Sequence, residues 1–184
     1  LHTQSRGTAY MMYAFASTPR TRRMAELVAP DIIKMDKGDK GTVENTLTDD
    51  GVPAITLELG RPEIFDDTMI ARAEAGLANL MRELLMLPGK VNPPPASVYV
   101  SNDIVAARAS RPGWARLLLP IGSAVKKDQA IAEVRDAFGT LIETVRSPAD
   151  GRINMVATDP RIDAGGTVAR IVWWSPDPAC ANGC

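Results

Sequence analysis

"PGKVNPPPAS", residues 88–97, carries four prolines and one glycine in ten positions. Proline offers no N–H to a helix or a strand ladder, and clustered prolines are stiff and extended, so this stretch reads as a linker. The apolar period changes across it. Upstream, short apolar runs alternate with a helical pattern; downstream, the period falls from 3.6 toward 2. Residues 1–87 are therefore expected to form an α/β unit, 98–174 an all-β unit and 175–184 a flexible tail.

Upstream of the linker, "TAYMMYAFA" (8–16) is strand-like or irregular, and "DIIKMD" (31–36) and "VPAITLELG" (52–60) read as strands, the last one buried. Between the first two lies "STPRTRRMAELVAP", with Ser17 or Thr18 as N-cap and Pro19 at the first helical position. The long segment 66–87 opens on Asp66 and Asp67, which suit a helix's positive end. It places Met69, Ile70, Ala73, Leu77, Leu80, Met81 and Leu84 on one face. Strand alternating with helix predicts a largely parallel sheet.

Downstream, "SVYVSNDIVAARAS", "GWARLLLPIG", "AIAEVRDAFG", "LIETVRSPADG" and "TVARIVWW" are short β-type runs divided by Gly, Pro, Asn and Asp. They predict a small antiparallel β-sandwich or barrel. Gly122, Val125, Lys126, Lys127 and Gln129, followed by "SPADG" at 147–151, resemble the paired turns of biotinyl and lipoyl domains, with Asp128 where glycine is usual. A carrier of that kind would need an exposed lysine near Thr140, in "FGTLIET", and there is none. The turns therefore read as scaffold.

Composition narrows the function. The chain is 45% hydrophobic with a net charge of −1, its basic residues are scattered, and Arg20, Arg22 and Arg23 read as a solvated helix face. No nucleic-acid partner is expected. No apolar run reaches the roughly 18 residues that span a bilayer, so no membrane partner is expected either. Cys180 and Cys184, the only two cysteines, both fall in the polar tail. That placement predicts neither a disulfide framework nor a metal pair, and points to a thiol-reduced, cytoplasmic setting.

Glu58 interrupts the apolar run "AITLELG" near its C-terminal end, where a carboxylate is costly unless it faces a cleft or a partner. Strand ends of open α/β sheets are where ligand crevices form, although a strand-end glutamate facing water is the plainer reading. His2, in "LHT", is the chain's single histidine. "LHT" followed some 55 residues later by "G-V-P-A-I-T-L-E-L-G" resembles the succinylglutamate desuccinylase/aspartoacylase family of zinc carboxypeptidase-like deacylases. The resemblance extends to about residue 174, since many such proteins append a small β-domain.

That resemblance implies Zn2+ as cofactor, His2 as one metal ligand, Glu58 as general base and a small N-acyl amino-acid-like substrate. It gives Arg61, directly after "ELG", as the nearest basic candidate for an anionic substrate, with a surface ion pair as the equal alternative. The family's upstream His-x-x-Glu pair has no counterpart in these residues. The chain is therefore expected to be the C-terminal portion of such a hydrolase and nearly inactive alone. The competing expectation is a non-catalytic binding or oligomerisation protein built on the β-domain, and a homo-oligomer is left open in either case.

Overall fold

The computed structural model describes residues 1–180 and 183–184. It is mostly sheet, with three α-helices among the described residues. The first sheet has the order β4-β2-β3-β5, formed by Leu57–Glu58 (β4), Tyr13–Ala16 (β2), Ile32–Met35 (β3) and Tyr99–Ser101 (β5). β2, β3 and β5 run parallel, and β4 is antiparallel to β2. The strand expected over 52–60 is thus two residues long.

One face of this sheet is covered by α1 (Pro19–Val28) and α3 (Asp67–Glu83). α1 starts where Pro19 has no N–H to lose, and Thr18 caps it. The Thr18 hydroxyl accepts the Thr21 N–H at 3.1 Å while Thr21 Oγ1 accepts the Thr18 N–H at 2.9 Å. Asp66 caps α3 through the Met69 N–H at 3.0 Å. The packed stripe of α3 runs through Met69, Ala73, Gly76 and Leu80, while Ile70 and Leu84 are 39% and 49% exposed. This corrects the expected face, and Gly76 explains the rotation. A Cβ there would run into the Val28 carbonyl, so glycine lets α3 cross α1 at backbone distance. A third helix, α2 (Val43–Asp49), has no counterpart in the sequence expectations.

The remaining strands form two antiparallel sheets. One has the order β1-β11-β13-β6, built from Thr8–Tyr10 (β1), Gly151–Ala157 (β11), Thr167–Trp173 (β13) and Asp103–Arg108 (β6), with Ala124–Val125 (β8) also on β11. The other has the order β10-β9-β7-β12, from Leu141–Arg146 (β10), Ala130–Arg135 (β9), Gly113–Leu117 (β7) and Arg161–Ile162 (β12). Ile131, Val134, Val145, Ile153, Val168 and Ile171 share the apolar core of these two sheets. Asp128 has φ +65°, the left-handed conformation that glycine ordinarily takes in such a turn. Asp150 closes the neighbouring turn by accepting the Lys127 N–H at 2.7 Å.

Two strands cross the division drawn at the proline-rich linker. "TAYMMYAFA" splits at Met11–Met12, so β1 pairs with β11 in the downstream sheet while β2 stays in the first. β5, downstream of the linker, pairs with β3 upstream of it. The tail also departs from expectation. Buried Asn102 donates to the carbonyls of Ser175 and Cys180, both at 2.9 Å, and its own carbonyl accepts the Cys184 N–H at 2.9 Å. Cys180 and Cys184 are joined in a disulfide, contrary to the reading that excluded one. The tail's partner, Asn102, lies more than seventy residues away, so nothing local in the sequence marks the contact.

Candidate active site

The second face of the first sheet carries Tyr13, Phe15, Ile32 and Tyr99, which pack toward Val172 and Ile104 of the downstream sheet. Glu58 sits directly opposite Tyr13 in the β2–β4 register. On β4's outer side, His2 forms a parallel bridge with Glu58: the His2 N–H donates to Leu57 O at 2.9 Å and the Leu59 N–H donates to His2 O at 2.8 Å. Glu58 is thereby gripped from both sides at the sheet edge. Its side chain is 11% exposed, and its Oε2 meets His2 Nδ1 at 3.2 Å.

His2 and Glu58 both open on a cleft of about 620 Å³. The opposite wall comes from the loop after β3 and the start of α2, with Asp36, Gly38, Asp39, Thr42 and Glu44 among its lining. Glu44 is fixed by Thr56, whose hydroxyl donates to its Oε2 at 2.7 Å. Arg61 is exposed and is not among the lining residues. The structure thus brings His2 and Glu58 together and leaves Arg61 apart from them.

Two features of this site were missed in the sequence. The first is Lys34, buried to 2% exposure, whose ammonium is ion-paired with the cleft-lining Asp36. Strand alternation puts positions 34 and 36 on one face, so a lysine inside "DIIKMD" two residues before an aspartate was the available signal. Asp36 Oδ1 also accepts the Gly38 N–H at 2.9 Å, so the pair shapes the loop that forms the wall. The second is Tyr13. Burial, then the nearby Asp36 and Tyr10, push its phenol well above the ordinary tyrosine range, with Glu58 adding to the effect against Arg170. Tyr10 is raised for the same first reason, burial, although Arg170, which donates to its hydroxyl at 3.1 Å, opposes the rise. Both phenols stay neutral beside Glu58 at physiological pH.

The donor set for a metal is incomplete. Among the described residues no group of three or more His, Cys, Asp or Glu side chains is placed to hold one. Catalytic zinc takes three protein ligands, and these residues offer one imidazole beside one carboxylate. A zinc–nitrogen bond is about 2.0 Å long, so a metal and its water could not fit within the direct His2–Glu58 contact. The imidazole would have to swing away from Oε2, and at 65% exposure its side chain has room to do so.

Comparison with known proteins gives one kind of answer. No family model and no curated protein matches the sequence. Solved structures do match: the ectoine utilization protein EutE (DoeB) of Ruegeria pomeroyi, with TM-score 0.80 at 16% identity, covers 95% of this chain and 58% of its own. A succinylglutamate desuccinylase/aspartoacylase of Rhodobacter sphaeroides follows, with TM-score 0.77 at 14% identity over 94% of this chain and 57% of its own. An aspartoacylase family protein of Mesorhizobium loti superposes with TM-score 0.71 at 12% identity, over 95% and 62%. The fold is that of the succinylglutamate desuccinylase/aspartoacylase proteins. The chain spans a little over half the length of the first two of these structures. Among the described residues, no helix is long and apolar enough to cross a membrane.

Proposed function

We propose that the His2–Glu58 cleft is this chain's share of a zinc-dependent hydrolase of acylated amines, N-acyl amino acids foremost. The observation that carries it is Glu58: a nearly buried carboxylate at a sheet edge, on the cleft and against the single histidine, in a fold shared with deacylases. Zinc, when bound, lowers the pKa of its water toward ~7 and polarises an amide carbonyl. His2 would supply one nitrogen ligand, and the other ligands would come from residues outside these 184. Glu58 Oε1 has no protein hydrogen-bond partner among the described residues, which leaves it free to take a proton at the cleft. Tyr13 packs beside it as a neutral wall, and Lys34 holds Asp36 across from it.

The test is a longer chain that carries a His-x-x-Glu pair N-terminal to Leu1. It should hydrolyse N-acyl amino acids, and Glu58→Gln should lower kcat by about 10²–10⁴, the usual weight of a general base. Full turnover by the Glu58→Gln variant would overturn the assignment, because the substitution keeps the size and removes the basicity.

A second reading has its own support. No residue beyond position 58 lines the cleft, so the β-sandwich, with its turns like those of biotinyl and lipoyl domains, adds nothing to it. A non-catalytic binding or oligomerisation module would look the same. A longer chain that folds, carries no His-x-x-Glu and hydrolyses no acyl amino acid would favour that reading.

A further inference from the structure

The C-terminal end of the chain is seated on the wall of the cleft. Gly183 has φ +100°, and a Cβ there would collide with the Met35 carbonyl and the Asp36 Cα. Only glycine brings the tail to backbone contact with the strand end that carries Asp36 into the cleft. Asn102 holds the two flanks of this segment. Its amide bonds the carbonyls of Ser175 and Cys180 and accepts the Ser175 N–H at 2.6 Å, and its main-chain carbonyl takes the Cys184 N–H at 2.9 Å. The Cys180–Cys184 disulfide, with Cα atoms 4.9 Å apart, ties together the two positions that Asn102 holds. Cys180 is 5% exposed whereas Cys184 is exposed.

We propose that Cys180 and Cys184 form a redox-sensitive latch that fixes the strand end carrying Asp36 into the cleft and releases it on reduction. This rests on contacts of residues 35, 36, 102, 175, 180, 183 and 184 and is independent of the hydrolase reading. The asymmetry in exposure sets the order of events. An external thiolate attacks the accessible Cys184 Sγ, forms a mixed disulfide and expels Cys180 Sγ as a thiolate. A second external thiol resolves the mixed disulfide and frees Cys184. Two electrons pass to the protein, and the external thiols leave as one disulfide. Oxidation by a low-molecular-weight disulfide is the reverse and releases two small thiols. With the bond broken, Asn102 still holds Ser175 and Cys180, and Gly183 keeps its place on Asp36 through packing and two main-chain bonds, Gly183 N–H to the Cys180 carbonyl at 3.0 Å and Cys184 N–H to the Asn102 carbonyl at 2.9 Å.

Amide hydrogen exchange of this chain tests it, once oxidised with glutathione disulfide and once reduced with dithiothreitol, with thiols counted by maleimide labelling in each state. Reduction should expose two thiols and speed exchange at Asp36, Gly38 and Cys184 about tenfold, a local opening, while β11 is unchanged. Cys184→Ser in the oxidising buffer should exchange like the reduced protein. Gly183→Ala, which removes the fit without touching sulfur, should make the bond easier to reduce in a fixed thiol/disulfide buffer. The latch is overturned if both thiols stay free in excess glutathione disulfide, if oxidation yields only a disulfide-linked dimer, or if the two states exchange alike at 36 and 38.

Discussion

The first sheet and the two downstream sheets treat charge differently. In the two downstream sheets the buried residues are uncharged, Asn154 and Ser147 being polar ones among them, and the charged pairs reach solvent, as with Lys126 and Asp150, whose side chains are 81% and 59% exposed. In the first sheet, Lys34 and Glu58 are both buried on the face that carries the cleft. Burying an ion is costly unless it is paired, and a fold selected only for stability has no reason to do it twice on one face. On the hydrolase reading proposed above, this difference assigns the chemistry to the sheet edge at His2, Glu58 and Asp36 and leaves the downstream sheets as scaffold.

The sharpest way to break this contrast is to remove one buried charge. Lys34→Met should cost about 3 kcal/mol in chemical denaturation, the lower end for breaking a buried pair because Asp36 keeps some solvent contact. Adding Asp36→Asn should return most of that loss. If Lys34→Met alone were neutral, the pair would not be the buried ion pair that distinguishes this sheet.

Packing comes next in size. Gly76→Ala drives a methyl into the Val28 carbonyl at the α1–α3 crossing and should cost about 1–3 kcal/mol, read as a lowered Tm. An unchanged Tm would mean that the helices can part without loss, and that the layer behind the cleft is looser than the core of the downstream sheets.

The smallest effect belongs to the turns. The Lys127 N–H, then the Lys126 ammonium, hold Asp150 below the usual carboxylate value, and Asp150 in turn raises Lys126. The Asp150 contribution is complete above the ordinary carboxylate pKa and is lost as pH falls through the depressed one. The Lys126 contribution is complete below the ordinary lysine value and is lost as pH rises through the raised one. Asp150→Asn should flatten the acid-side change in denaturation midpoint, whereas Lys126→Met should leave most of it, since the main-chain donor ranks first. An acid limb that vanished with Lys126→Met would reverse that ranking.

What the sequence disclosed follows the same divide. Helix starts were legible because caps are local: Thr18, Pro19 and Asp66 stand where the helices begin. The pairing of His2 with Glu58 was legible only through resemblance, as no local pattern links residues 56 apart. The exchange of β1 and β5 between sheets was hidden for a related reason. Both strands have the right composition, but their partners are set by distant hydrogen-bond registers. α2 was invisible because "VENTLTD" carries no apolar stripe, and the orientation of α3 was misjudged because a glycine, not a leucine, marks its contact. The disulfide was misread from its polar surroundings, when buried Asn102 is what brings the tail into place.

The central claim, that His2 and Glu58 are one site able to take a metal ligand's part, can be measured on a single signal. His2 is the only histidine, so the protein has one imidazole ¹³C–¹H resonance set in NMR. Zn2+ should shift and broaden it at millimolar metal, weakly because one ligand cannot hold zinc tightly. Glu58→Gln should move it without metal, because the contact between Nδ1 and Oε2 is rewritten. An imidazole resonance that ignores both the metal and the substitution would show a terminal histidine unconnected to Glu58, and would contradict the account.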